Sequence, residues 1–293
     1  MMSLLNSKPR LFLSIKYFFI FFIIAALGTV GFFLWQQYYP VVASKKWQYR
    51  VLHSDVERAS AVYKQQDGSL IVAEELNKKQ GRIIHIATDG TRTVLFKDLD
   101  KPDGITPFNG GIVFSQEGGV YPVSFFKDGK LQTLFEGTNV QGLTVDGQYL
   151  YAVEDRGENS QILRYDSKTK KLEVIRSSLN EAETLAICPD GKKYYNEKDK
   201  SRVKLLADDG TDPIILNYKK TRYPSILRCD DKGLWISEDS THRARLLLLK
   251  PNGKLRVILN YLKAPQQLLK IGTDKYILAE GGRDRLLEIE KIN

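Results

Sequence analysis

The chain has 293 residues, 42% hydrophobic and 27% charged, an ordinary globular composition with room for one large domain or two smaller ones. Its formal charge of +9 resembles a nucleic-acid signal until it is divided: residues 1–46 hold five basic residues and no acids, leaving +4 for the remaining 247. That field is weak, and its bases are interspersed with acids, so nucleic acid is excluded as a partner.

In chain order, the first element is Tyr17–Trp35 (YFFIFFIIAALGTVGFFLW), 19 residues without a charge, enough to cross a bilayer as a helix. Lys8, Arg10 and Lys16 precede it and Lys45 and Lys46 follow, so the positive-inside rule places the N-terminus in the cytoplasm and the bulk of the chain in the periplasm or another extracytoplasmic space. A cleavable signal peptide, with small residues Val41 and Ala43 near a cleavage site, is the rival reading; the apolar core exceeds the usual length of such signals, which favours a retained anchor. The expected layout is a cytoplasmic tail over residues 1–16, a transmembrane helix over 17–35, a linker over 36–46 and one globular body over 47–293.

Within that body, related runs recur: LIVAE ending at Glu74, IVFSQ at Gln116, LYAVE at Glu154, KYYNE at Glu197, LWISE at Glu238 and YILAE at Glu280, spaced by 42, 38, 43, 41 and 42 residues. Each is preceded by a strand-like run and a turn signal and followed by two more strand-like runs. Four short strands per repeat of about 40 residues is the signature of a β-propeller blade, and six copies fit. The sixth repeat stops at Asn293 without a fourth strand, while the segment before the first repeat, KKWQYRVLHS, alternates like one. The expectation is an all-β six-bladed β-propeller, preceded by one transmembrane α-helix, whose N-terminal strand completes the last blade and closes the ring.

The acid ending the second strand of five repeats lies on the face where the inner strands begin, the channel mouth and usual ligand position. Its recurrence argues for architecture, because a site on a ring draws different residues from different blades. Glu197, Glu238 and Glu280 are each followed five residues later by Arg202, Arg243 and Arg285, so each pair is expected to face across a hairpin as an ion pair. Candidates for chemistry are instead the starts of the inner strands: Ser60, Asp103, Gln141, Glu183, Ser225 and Gln266. All bear oxygen, and Asp103, Gln141 and Glu183 are candidate ligands for calcium or another divalent cation, against a water-filled polar channel that needs no metal. His53 and His85 lie in strands and read as structural; His242, on a turn of the mouth face, is a candidate base. Cys188 and Cys229 either pair, as an oxidising compartment permits, or are two buried small apolar residues.

The run LAICPDGKKYYNEKDKSRVKLL resembles the signature blade of strictosidine synthase-like proteins, TRYPSILRCDDKGLWIS is similar to the blade that follows it there, and NVQGLTVDGQYLYAVED to the one before. The wider group includes gluconolactonases of the senescence marker protein type and paraoxonases. This resemblance implies six blades, a divalent cation at the axis and hydrolysis of lactones or esters. The metal-site pattern is degraded. An Asn-Asp is expected where Gln141-Gly142 stands, a Pro-Asn-Gly where Ala182-Glu183-Thr184 stands, and a Pro-Asp-Asn-Ile where Pro224-Ser225-Ile226 stands; the first-blade glutamate is missing near Ala59 and Ser60. The expected function is thus a cation-dependent lactone or ester hydrolase, with His242 or Glu183 activating water and a small-molecule ligand at the channel mouth. The alternative is a non-catalytic module that binds a ligand or an envelope protein partner.

Overall fold

The structure, a computed structural model, describes residues 8–240 and 243–292. The chain divides into two units, one running to Pro40 and the other from Val41 onward. In the first, the helix Lys8–Tyr38 contains an apolar stretch, Ile15–Tyr38, long enough to cross a membrane as an anchor or to serve as a signal sequence. Of the segment read as a linker, the part to Tyr38 is helical, and Val42–Ala43 forms a short strand in the second unit.

The second unit is a ring of six antiparallel sheets, each read from its inner strand outward. The first five begin at Ala59–Lys64, Pro102–Phe108, Val140–Asp146, Leu185–Ile187 and Pro224–Asp230. The sixth consists of Pro265–Gly272, Lys275–Glu280, Arg285–Lys291 and, outermost, the N-terminal strand Trp47–His53. Trp47 lies opposite Lys291 and Val51 opposite Leu287, so the two ends of the chain share one sheet. Val42–Ala43 adds a fifth strand to blade five, opposite Leu259 and Asn260, covering an edge that would otherwise be open.

The alternating strands place apolar side chains on both faces of every blade, and each face packs against its neighbour. Six buried clusters result, one per blade–blade interface. Ile83, Ile105 and Phe114 fill the first interface, for instance, and Leu185, Tyr195 and Val153 the third. The closing interface between blades six and one is filled in the same way, by Ile277, Ala279 and Leu286 against Val62, Val72 and Ile84. Trp47 meets Trp235 edge to face, with ring centroids 5.6 Å apart, tying the closing strand into the core between blades five and six. Cys188 and Cys229 form a disulfide linking blade four to the inner strand of blade five.

One backbone device repeats in all six blades where the chain turns into the inner strand. The residue that leads into that strand, directly before it in five blades and at Glu181 ahead of Leu185 in blade four, has a left-handed backbone: Arg58, Lys101, Asn139, Glu181, Tyr223 and Ala264, with φ between 41° and 49°. Its carbonyl accepts a backbone N–H from the residue that follows the recurrent acid, at 2.8–3.2 Å: Glu75, Glu117, Asp155, Lys198, Asp239 and Gly281 in turn. The recurrent acid grips the same turn from the side. Its Oε1 accepts the N–H of Glu57 (3.0 Å), Thr138 (2.7 Å), Asn180 (3.3 Å), Arg222 (2.8 Å) or Lys263 (2.8 Å). In blade two, Gln116 does the same to Asp100 through its amide oxygen at 2.9 Å. Only an acceptor is required at this position, so an amide substitutes for a carboxylate.

The second oxygen of each carboxylate meets a cation. Glu197 faces Arg202 at 3.3 Å and Glu280 faces Arg285 at 2.6 Å. Glu238 Oε2 accepts from Arg245 Nε at 2.7 Å, two residues beyond the Arg243 expected from spacing. The reason is register: Ser237 lies opposite Leu246, so the next position along brings Arg245 opposite Glu238. Because Glu238 is 2% exposed, losing it orphans the Arg222 N–H and the Thr221 hydroxyl and leaves the Arg245 guanidinium with only the Lys220 carbonyl. Glu238→Ala should therefore cost about 3–5 kcal/mol, as for breaking a buried ion pair. Glu238→Gln keeps the backbone acceptor and should cost about 1.5–3 kcal/mol, as for one charged hydrogen bond. Urea unfolding of the full chain checks the order; equal costs would mean that the backbone grip contributes little.

Candidate functional site

The repeated turn fixes three positions per blade around the channel mouth: the left-handed residue, the residue two further on, and the residue after the recurrent acid or its glutamine counterpart. A polar cavity of about 200 Å³ lies among them. Of the inner-strand candidates, Asp103, Gln141, Glu183, Ser225 and Gln266 line it; Ser60 does not, lining instead a larger cavity of about 620 Å³ along the channel. Asp103 and Gln141 border both cavities, so the mouth and the channel share a wall.

The structure adds charged groups that inner-strand spacing did not identify. Glu75, Glu117, Lys198 and Asp239 come from the position after the recurrent acid, and Arg58 and Lys101 from the left-handed position. The Lys198 ammonium donates to Glu183 Oε1 at 2.7 Å and lies 2.8 Å from Asp239 Oδ2. Lys101 pairs closely with Glu117 and stands 3.4 Å from Glu75. The signal for this tier was present in the sequence. Along an otherwise regular repeat, the residue following the acid reads Glu, Glu, Asp, Lys, Asp, Gly.

Burial sets the protonation of the mouth. It pushes Glu183 up to about 8, although the Lys198 ammonium pulls the other way. It raises Asp103 well above the carboxylate range, and the nearby Glu75, Glu117 and Glu183 push in the same direction. For Lys198, burial alone would lower the pKa, but the Glu183 and Asp239 carboxylates outweigh it and hold the group cationic above the ordinary lysine range. Two hydroxyls are already engaged: Ser60 donates to the Pro102 carbonyl at 2.9 Å and Ser225 to that of Ser237 at 3.3 Å. The Gln141 amide donates to Asp155 at 3.1 Å.

These groups do not fit a divalent cation. Among the described residues, no group of three or more His, Cys, Asp and Glu side chains is placed to hold a metal ion. Of the three candidate ligands, Glu183 already accepts the Lys198 ammonium, and Gln141 donates its amide N–H to Asp155 and keeps only its amide oxygen for a ligand. A positive charge is present, but it belongs to lysine. His242 lies outside the described residues; His53 and His85 sit in strands and line neither cavity.

No protein-family profile matches the sequence, and no curated protein matches it. Solved structures share its fold. A gluconolactonase from Xanthomonas campestris superposes with a TM-score of 0.70 at 13% identity, covering 85% of this chain and 91% of its own. A luciferin-regenerating enzyme gives 0.66 at 14%, covering 84% and 96%. An auxiliary nutrient binding protein from Bacteroides thetaiotaomicron gives 0.64 at 13%, covering 82% and 70%. At these identities the likeness establishes the six-bladed ring.

Protonation of Glu183 has a measurable consequence. With a folded pKa raised to about 8 from 4.5, this group holds its proton in the folded state where the unfolded chain releases it, so its contribution to stability falls as pH rises between those values. Lys198 adds no slope in that window, and His53, lowered by burial, adds the same slope to any variant that retains it. Melting temperatures of the wild type and Glu183→Gln from pH 5 to 9 should show a shallower decline in the variant. Parallel curves would mean that Glu183 is ionised throughout.

Proposed function

We propose that the protein is a membrane-anchored propeller that hydrolyses small lactones or carboxylic esters at the channel mouth, with Glu183 as the acid–base group and lysine ammonium groups in the place of a cation. The observation that carries this reading is Glu183 itself: an axial carboxyl, buried, pushed up to about 8 and in contact with an ammonium, the combination expected of a group that moves protons near neutral pH. The ring shared with a gluconolactonase supports the substrate class by analogy of fold.

In this mechanism the ionised Glu183 takes a proton from water as the water oxygen bonds to the acyl carbon. The carbonyl electron pair moves onto oxygen, and the resulting oxyanion is stabilised by the Lys198 ammonium and by an O–H donated from protonated Asp103. Collapse re-forms the carbonyl and breaks the acyl–oxygen bond, and Glu183 returns its proton to the departing alkoxide. A lactone opens to a hydroxy acid, and an ester gives an acid and an alcohol.

The helix is proposed as a retained anchor with a cytoplasmic N-terminus and the ring on the extracytoplasmic side. The disulfide between Cys188 and Cys229 supports an oxidising location, and the basic flank before the apolar stretch supports the orientation. A second reading, a module that binds a ligand or an envelope partner without turnover, is favoured by the bridge from Lys198 to both Glu183 and Asp239, which satisfies the mouth charges without a substrate.

Full-length protein in detergent, assayed on a panel of aliphatic lactones and on 4-nitrophenyl acetate, separates the two. Hydrolysis should rise with pH through about 8, persist in EDTA and fall about 100-fold or more in Glu183→Gln, the scale of a lost acid–base group. Activity abolished by EDTA, or unchanged in the variant, would overturn the mechanism. No turnover on any member of the panel would favour the binding module.

A further inference from the structure

The larger cavity, about 620 Å³, runs along the inner strands beyond the mouth and is within the size range of small-molecule sites. Its charged lining differs in sign from that of the mouth. Apart from Asp103 on the shared wall, its ionisable lining groups are cationic: Lys64, Arg228 and Lys270. Lys270 is neutralised by Asp231. Arg228 is held differently: its Nε is buried and has no hydrogen-bond partner among the described residues. The carboxylate nearest in sequence, Asp230, is occupied elsewhere, accepting the Tyr276 hydroxyl at 2.9 Å, the Trp235 indole N–H at 3.1 Å and the Lys232 N–H at 2.8 Å. Desolvation lowers the Arg228 pKa, and the attraction of nearby Asp230 offsets this only in part. A partly buried guanidinium with an unpaired N–H is costly unless something pairs with it.

We infer that the channel holds a small organic carboxylate, its head group paired with Arg228 and its body lying along the apolar wall. The guanidinium presents a planar fork that matches a carboxylate in two parallel hydrogen bonds. Arg228 lies three residues beyond Ser225 on the inner strand of blade five, which sets it roughly 10 Å below the mouth at the usual rise per residue. The disulfide at the adjacent Cys229 anchors that strand to blade four. Partly exposed Val145, Ile187 and Ile271 line the same cavity and suit an aliphatic chain. The planar fork of Arg228 beside apolar walls favours an organic carboxylate over the more strongly hydrated inorganic phosphate.

This site does not depend on the chemistry proposed at the mouth. Titrating full-length protein in a non-ionic detergent with sodium hexanoate, and separately with inorganic phosphate, in a calorimeter tests it. Hexanoate should bind the wild type and Glu183→Gln alike and bind Arg228→Met at least tenfold more weakly. The melting temperature of Arg228→Met without added anion should equal or exceed that of the wild type, because the substitution removes a partly buried guanidinium whose Nε is unpaired. Failure of hexanoate to bind, binding unchanged in Arg228→Met, binding of phosphate alone, or a lowered melting temperature that marks Arg228 as structural would each overturn the assignment.

Discussion

The turn that carries the chain into each inner strand is the constraint on which the rest of the structure depends. At that turn a non-glycine residue adopts a left-handed backbone, a conformation that costs roughly 1–2 kcal/mol and persists only where surrounding contacts impose it. Two contacts do so in every blade. A side-chain oxygen at the end of the second strand accepts one turn N–H, and the next backbone N–H bonds to the left-handed residue's carbonyl. Deep burial makes the side-chain grip consequential: Glu280 is fully buried and Glu154 and Glu238 are 2% exposed, and each keeps one oxygen on the turn while an arginine stands beside its carboxylate.

Holding the turn rigid also aims it. The left-handed position and the residue after the recurrent acid are both presented to the axis by the device that stabilises the hairpin, and their identities vary from blade to blade while the device stays constant. In the run LWISED, Glu238 belongs to the scaffold and Asp239 to the site, bonded through its carboxylate to Lys198 from the neighbouring blade. Adjacent residues thereby serve different levels of organisation, with strand alternation separating their directions.

The six blades and the closure by Trp47–His53 were legible in the sequence because period, turn signals and the incomplete sixth repeat all reflect one physical requirement, that every strand edge find a partner. The inner-strand tier of the mouth was legible for the same reason: Asp103, Gln141 and Glu183 follow from counting along a strand. The ammonium tier was not legible. Lys198 reaches Glu183 from the second strand of its blade and Asp239 from the next blade, contacts set by ring curvature rather than by spacing along the chain. The partner of Glu238 escaped for a smaller reason: a turn longer than the four residues assumed moves the opposing arginine from position 243 to 245. The covering strand Val42–Ala43 is too short to register as a pattern.

The mouth thus combines two features that oppose each other in water. Carboxyls are crowded and buried until they hold their protons near neutral pH, and ammonium groups sit among them where related sequence patterns lead one to expect a cation. Low local dielectric makes both the crowding and the pairing strong. The most direct measurement is the calcium content of full-length protein equilibrated with calcium and then desalted, determined by elemental mass spectrometry. Lysines in the place of the cation predict a content well below one ion per chain, unchanged in Lys198→Met; one tightly held calcium per chain would contradict it.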